Sequence, residues 1–174
     1  MTYSLYDASI VLAQDALNSL SAILKHAEAH ANAASFPDAK LAEDMLPFRF
    51  QIHIVTDVAH KIAARTMGTE PLKLELEGLD SYEAFHARIA QVLEVLGKAD
   101  RETVNKRADE IVTIGLGPGK SADVKVREFI NGYGLPNLFF HLTTAYAILR
   151  KEGVQLGKQD YQTSFLGKYV QGQV

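Results

Sequence analysis

A chain of 174 residues, 47% of them hydrophobic and 22% charged, is long enough to bury a core and is typical of a globular protein. The formal net charge of −3 excludes the basic surface of a nucleic-acid binder, and the lack of cysteine excludes disulfides, thiolate nucleophiles and cysteine-ligated zinc. The first twenty residues have no basic start and carry Asp7 and Asp15, so neither a signal peptide nor a membrane span is expected, and the expected location is the cytoplasm.

Two helices are indicated in the first seventy residues. Apolar residues recur at alternating spacings of four and three from about Ser4 to Ala31, which predicts an amphipathic helix packed in a bundle. The same rhythm follows Pro47 and predicts a second helix that ends at Gly68.

A third helix and a hairpin are indicated next. The third helix is predicted to begin after Asp80, with Glu83 completing a capping box, and to end at Gly97. Residues 110–117 and 123–126 alternate between apolar and polar and flank a Pro-Gly turn, which predicts a short β-hairpin.

The fourth predicted helix runs from Pro136 to Glu152, with proline in its first turn and Gly153 just past its end. The polar residues after it, about 154–174, are predicted to form an irregular tail that wraps the outside or frays. The fold class that follows is all-α, a single domain over residues 1–174 built as a four-helix bundle with a short hairpin between the third and fourth helices.

On the second helix, a rotation of about 100° per residue separates two kinds of polar side chain. Gln51 projects into the apolar arc, where its donor and its acceptor both need partners. His53, Asp57 and His60 share another face and could form a ligand set, but they lie opposite the apolar arc. We therefore expect them on a solvated face.

The fourth helix carries the most informative pair, Asn137 and His141, which lie four residues apart on a largely apolar rod and so side by side. Such groups need partners inside the protein, since an unpaired buried polar group costs roughly 1–3 kcal/mol. A core histidine bonded to an amide or water and a metal-ligating histidine are both consistent with the pattern. His26 and His30 are expected on the surface, and His86 at the boundary of the core.

Motifs over nearly the whole chain resemble one known family. They are Ser4–Ala8, Leu46-Pro47, Gln51 with Asp57, Ala64-Arg65 leading to Gly68, Leu135–Arg150, and Gly157-Lys158 with Asp160. The sequence resembles uncharacterised bacterial and fungal proteins that form a domain family of unknown function within the DinB/YfiT-like superfamily of proposed metalloenzymes. The resemblance implies a DinB-type four-helix bundle, often dimeric, with a pocket between helices.

The resemblance also implies a divalent metal held by three histidines, one from the second helix and two, four apart, from the fourth. His141 matches the second of that pair, Asn137 occupies the position of the first, and the helix-two ligand falls at Gln51 to His53, with Gln51 favoured as the inward residue. Amide oxygens are poor ligands for metals that prefer imidazole. His141 is thus the one candidate ligand that matches, and a polar cluster of Gln51, Asn137 and His141 is expected in place of a complete metal site.

Three functions remain open on the sequence. The first is a non-catalytic protein that binds a small molecule in an inter-helix pocket through Gln51, Asn137 and His141. The second is a metal-dependent DinB-like hydrolase or thiol transferase that uses His141. The third is a purely dimeric interaction protein, suggested by Phe140 and Ala147 lying off the main apolar arc. A homodimer is expected, and neither a nucleic acid nor a membrane is expected as a partner.

Overall fold

The computed structural model describes residues 4–171, and these residues are mainly helical with one two-stranded hairpin. The elements in chain order are α1 (Leu12–Glu28), α2 (Phe48–Met67), α3 (Tyr82–Gly97), α4 (Arg101–Lys106), β1 (Ile111–Gly115), β2 (Ser121–Lys125), α5 (Val126–Phe129), α6 (Leu135–Lys151) and α7 (Lys158–Val170). Two π-helical turns, Asp7–Val11 and Ile130–Gly134, lead directly into α1 and α6, and a 3₁₀ turn, Ala33–Asp38, follows α1. Along the described residues, no helix combines the length and the hydrophobicity needed to cross a bilayer.

The four long helices, α1, α2, α3 and α6, pack around a shared core. Their predicted apolar arcs are the residues that the core buries, so the prediction of an all-helical fold with a hairpin between the third and fourth long helices is confirmed. The buried members of these arcs are Ile10, Ala13, Leu17, Leu20, Leu24 and Ala27; Phe48, Ile52, Val55, Ala59 and Ile62; Phe85, Ile89, Val92 and Leu96; and Leu138, Leu142, Ala145 and Leu149.

Helix boundaries agree closely with the predicted ones, with one different cap. Gly68 ends α2 in the left-handed conformation, with φ of 75°, as its position predicted. The prediction of a capping box that starts from Asp80 was wrong by one residue. The hydroxyl of Ser81 caps α3 and accepts a hydrogen bond from the amide of Ala84 at 3.2 Å.

The predicted hairpin is present as an antiparallel pair whose register runs from Ile111 opposite Lys125 to Gly115 opposite Ser121. It sits between α4 and α5. Both of these short helices were absent from the sequence prediction, although Asp100 caps α4 by accepting from the amide of Thr103 at 2.8 Å.

Helices α2 and α3 begin at the same end of the molecule. The rings of Phe48 and Phe85, each in the first turn of its helix, meet edge to face at 6.1 Å between centroids. The linker of residues 68–81 must therefore return along α2, which is about 30 Å long at 1.5 Å per residue. Its start lies beside Arg65 and its end beside Arg49, so it runs along one side of that helix.

One prediction about α2 is wrong, the solvated face of His53, Asp57 and His60. His60 is only 3% exposed and Asp57 9% exposed, and His53 is partly buried. The Nδ1 atoms of both histidines are buried without a hydrogen-bond partner. A helical wheel treats α2 as an isolated helix, whereas in the protein the linker runs along one side of it and Glu75 is near enough to His53 to affect its pKa.

The predicted irregular tail is also wrong over most of its length, since residues 158–170 form α7, which packs against α1. The amide of Gly157 donates to the carboxylate of Asp160 at 2.7 Å and closes the first turn. Tyr161 and Phe165 then stack one turn apart and reach α6, where Phe165 meets Phe139. The last three residues of the predicted tail lie outside the described residues.

Candidate functional site

Gln51 occupies the first turns of α2, where the chain turns into the helix after Pro47. Its side chain is 2% exposed, as its inward direction predicted. The amide nitrogen donates to the carbonyl of Leu46 at 2.8 Å and lies 3.4 Å from that of Pro47. Because a carbonyl can only accept, these contacts orient the amide and turn its oxygen toward α6.

His141 of α6 meets that oxygen. Its Nδ1 lies 2.7 Å from Oε1 of Gln51, so Nδ1 carries the proton and donates it. Burial lowers the pKa of the half-buried His141 below its usual value, which favours the neutral ring. In a neutral ring whose Nδ1 is protonated, Nε2 carries the lone pair. That atom makes no hydrogen bond within the described residues and is not buried.

Two aromatic rings border the imidazole. Phe50, which precedes Gln51, lies 6.3 Å from it between centroids, and Phe140, which precedes His141, lies 5.1 Å from it. Phe140 is 58% exposed and Leu46 is 52% exposed. The imidazole of His141 is thus bordered by two aromatic rings, one from α2 and one from α6.

Asn137 does not join the hydrogen-bonded pair. It lies one turn before His141 on α6 and is partly buried, but its side chain makes no hydrogen bond within the described residues. The cluster of three predicted from sequence is therefore a bonded pair with Asn137 beside it. Four cavities of about 280 to 570 Å³ in the described residues are lined by other side chains, so an enclosed pocket at this pair stays a prediction.

A three-histidine metal site does not fit this arrangement. His141 offers one nitrogen, since its other nitrogen donates to Gln51, and the amide nitrogen of Gln51 is committed to backbone carbonyls. Within residues 4–171, no group of three or more histidine, aspartate or glutamate side chains is placed to hold a metal ion. One imidazole among amides is a weak donor set for zinc or nickel.

The remaining histidines that the sequence singled out lie elsewhere. His26 is exposed on α1, 3.6 Å from the carboxylate of Asp160. His30 is partly buried against the ring of Phe36 and accepts a hydrogen bond at Nδ1 from a backbone amide. His86 sits at the boundary of the core, as predicted, with Nε2 3.2 Å from the carboxylate of Glu28.

Sequence reasoning missed the rings of Phe50 and Phe140 as part of this site. Each is the chain neighbour of a predicted site residue, but on a helix a neighbour points about 100° away. The antiparallel approach of α2 and α6 brings Phe50 to the imidazole, whereas Phe140 borders it within α6 itself. One residue in the sequence, Gly134, is consistent with the close approach of the two helices. A Cβ atom at this position would lie 3.2 Å from the side chain of Ile62.

Comparisons with known proteins show the family and the fold of the chain. Residues 5–162 match the family described as Domain of unknown function (DUF1993), and the chain belongs to that family. The fold is similar to that of a crystal structure of a DinB family member protein from Shewanella denitrificans, with a TM-score of 0.81. The two sequences are 32% identical, and the alignment covers 90% of each chain. No curated protein matches the chain at a significant level.

Proposed function

We propose that this DinB-like protein binds a small molecule at the surface between α2 and α6, through Nε2 of His141. The supporting observation is the fixed tautomer of that ring. Gln51 accepts the Nδ1 proton at 2.7 Å, so Nε2 presents a lone pair to a ligand that brings a hydrogen-bond donor. Asn137, one turn away, supplies a second polar anchor.

The surroundings indicate the kind of ligand. The rings of Phe50 and Phe140 beside the imidazole favour an apolar or aromatic body. A phenol combines such a body with a donor for Nε2. The ligand class proposed is therefore a neutral aromatic molecule that carries a hydroxyl or an N–H group.

The experiment uses phenol as the probe and side-chain ¹⁵N NMR of the histidines as the readout. The spectrum of the free protein should show His141 protonated at Nδ1, and phenol should shift its Nε2 resonance. His141→Phe should abolish binding of the probe and leave the helical far-UV signal intact. His26→Gln, which changes an exposed histidine on α1, should leave binding unchanged. A probe that perturbs no resonance of His141 would overturn the proposal.

The alternative function, a metal-dependent hydrolase or thiol transferase, has one observation in its favour. A histidine that donates one ring nitrogen to a fixed acceptor is oriented as metal-binding histidines are. Metal analysis of protein purified without a chelator or a histidine tag separates the two functions. Close to one equivalent of zinc, nickel or iron, lost in His141→Phe, would favour the enzyme and contradict the binding proposal.

A further inference from the structure

A second candidate site lies at the opposite end of α2, where the hairpin closes over the last turn of the helix. A cavity of about 350 Å³ opens there between the linker and β1. Ala64-Arg65 leading to Gly68 is a motif of the sequence that the site between α2 and α6 does not use. The lining of the cavity includes Arg65, Gly68, Glu70, Arg107 and Thr113.

Two guanidinium groups share the wall of this cavity. Arg65 lies over the ring of Phe129, 5.0 Å from its centroid, and donates from Nη1 to the carbonyl of Thr113. Arg107 pairs through Nη1 with the carboxylate of Glu110 at 2.6 Å. These contacts use one nitrogen of each planar fork and hold both forks in place.

Several donor atoms of these two arginines lack a hydrogen-bond acceptor. Nε of Arg65 and Nε of Arg107 are buried without a partner. Nη2 of each arginine makes no hydrogen bond within the described residues, yet it is not buried. Arg65 forms no ion pair with a carboxylate within the described residues, although Glu70 lines the same cavity. A ligand rich in acceptors would give the exposed Nη2 atoms the hydrogen bonds that they lack.

Gly68 positions one of the two arginines. A Cβ atom at this residue would lie 2.5 Å from the guanidinium carbon of Arg107, so only glycine lets the fork lie against the end of α2. The positive φ of 75° also requires glycine. Gly78, in the same linker, has the same φ but no atom within 4 Å of its Cβ position, and so provides a matched control.

We propose that this cavity binds the phosphate group of a small molecule through Nη2 of Arg65 and Nη2 of Arg107. Two forks that approach from different elements suit a tetrahedral dianion, which has acceptors on several sides. The volume fits a phosphate with a modest organic group attached. Glu70 in the same wall would disfavour a ligand with a second negative group on its side. This site is independent of the proposed function at His141.

The test is titration calorimetry of the full chain with inorganic phosphate, at constant ionic strength and with acetate as a comparison. One phosphate site is expected. Arg65→Gln and Arg107→Gln should each weaken it about tenfold or more, as the loss of a charge-assisted hydrogen bond predicts. Gly68→Ala should weaken it similarly by displacing Arg107.

Two controls keep the outcome clear. Gly78→Ala carries the same backbone cost and should leave phosphate binding unchanged. So should Arg127→Gln, which removes an arginine that pairs with Asp109 outside the cavity. If an arginine variant does not fold, the two glycine variants still decide the question. Lack of phosphate binding, binding of acetate alone, or binding that survives Arg65→Gln, Arg107→Gln and Gly68→Ala would overturn the proposal, and the arginines would then only tether the hairpin to α2.

Discussion

His141 donates its Nδ1 proton to the side-chain oxygen of Gln51 across 2.7 Å, and this hydrogen bond joins α6 to the first turns of α2. Gln51 in turn donates to the carbonyl of Leu46, so these two hydrogen bonds also hold the segment before α2. Neither side chain can be replaced by an apolar one without leaving a partly buried donor or acceptor unpaired. The two hydrogen bonds therefore determine the tautomer of the histidine and contribute to the stability of this end of the molecule.

The first prediction concerns the coupling between these two side chains. Gln51→Leu should lower the free energy of unfolding by about 1–3 kcal/mol, because it leaves the imidazole N–H and the Leu46 carbonyl without partners. His141→Phe should have a smaller or similar effect. The double variant should be less destabilised than the sum of the two, by about 0.5–3 kcal/mol. Urea denaturation of all four proteins measures this coupling.

A matched pair elsewhere tests whether the coupling is specific. Thr144 donates to a carbonyl within its own helix, so Gln51→Leu and Thr144→Val should be additive within about 0.5 kcal/mol. Additive effects of Gln51→Leu and His141→Phe would contradict the geometry described here.

The meeting of Gln51 and His141 was predictable because it depends on local periodicity. The apolar arcs of α2 and α6 determine which faces turn inward, and Gln51 interrupts one of these arcs while His141 borders the other. Antiparallel packing then brings the two polar side chains together. The same argument could not place Asn137, since a residue one turn away shares a face with His141 without sharing its partner.

Two features were not predicted, the burial of His60 and the helix α7, because both depend on contacts between segments that are far apart in the chain. His60 is buried although it lies opposite the apolar arc of α2, so no periodicity in α2 indicates its burial. The helix α7 is polar and has no fully buried residue, so its stability comes from packing of Tyr161 and Phe165 on neighbouring helices, not from its own pattern. A single sequence read segment by segment carries neither signal.

The second prediction is a loss of stability at mildly acidic pH. Burial lowers the pKa of His60 and of His53 below the usual 6.5, so the native state resists protonation more than the unfolded chain does. Below pH 6.5 the unfolded chain binds protons that the native state does not. The free energy of unfolding should therefore fall as pH is lowered from 6.5 toward the native pKa values, by at most about 1.4 kcal/mol per pH unit for His60.

Variants test the source of this pH dependence. His60→Leu removes a buried ring with an unpaired Nδ1, so urea denaturation should show a shallower decline of stability between pH 6.5 and 5. His53→Leu should act in the same direction. Above pH 7.5 neither variant should change the slope, since both histidines are then neutral in the folded and unfolded chains. A wild-type slope retained in His60→Leu would show that this buried histidine is not a source of the pH dependence.

The third prediction concerns the start of the chain. Arg101 donates from both Nη atoms to the carboxylate of Asp7, at 2.9 and 2.7 Å, and Ser4 donates to the same group at 2.8 Å. These hydrogen bonds lower the pKa of Asp7 to about 2. Asp7 therefore stabilises the fold above pH 3.8, and this contribution is lost as pH falls from 3.8 toward 2.

Asp7→Asn should accordingly lower Tm clearly at pH 7, with a difference from wild type that shrinks as pH is lowered from 5 toward 2. Asp38 provides the comparison, since it pairs with Arg49 at 3.1 Å but its side chain is 74% exposed. Asp38→Asn should change Tm little at pH 7, as is usual for exposed ion pairs. Equal effects of the two variants would contradict the bidentate contact to Arg101.

The last prediction concerns how α7 is held against α1. Lys168 lies 2.8 and 2.6 Å from the two carboxylate oxygens of Asp15, and Asp15 is only 6% exposed. Lys168→Met leaves that carboxylate without its counter-charge, so it should cost about 1–3 kcal/mol and expose α7 to limited proteolysis. Lys98→Met, which breaks a largely exposed pair with Glu94, should leave Tm and proteolysis almost unchanged. Asp15→Leu combined with Lys168→Met should recover much of the loss, because the charge then no longer needs a partner. If the double variant were as unstable and as readily cleaved as Lys168→Met, α7 would depend on the lysine stem and its packing and not on the buried charge of Asp15.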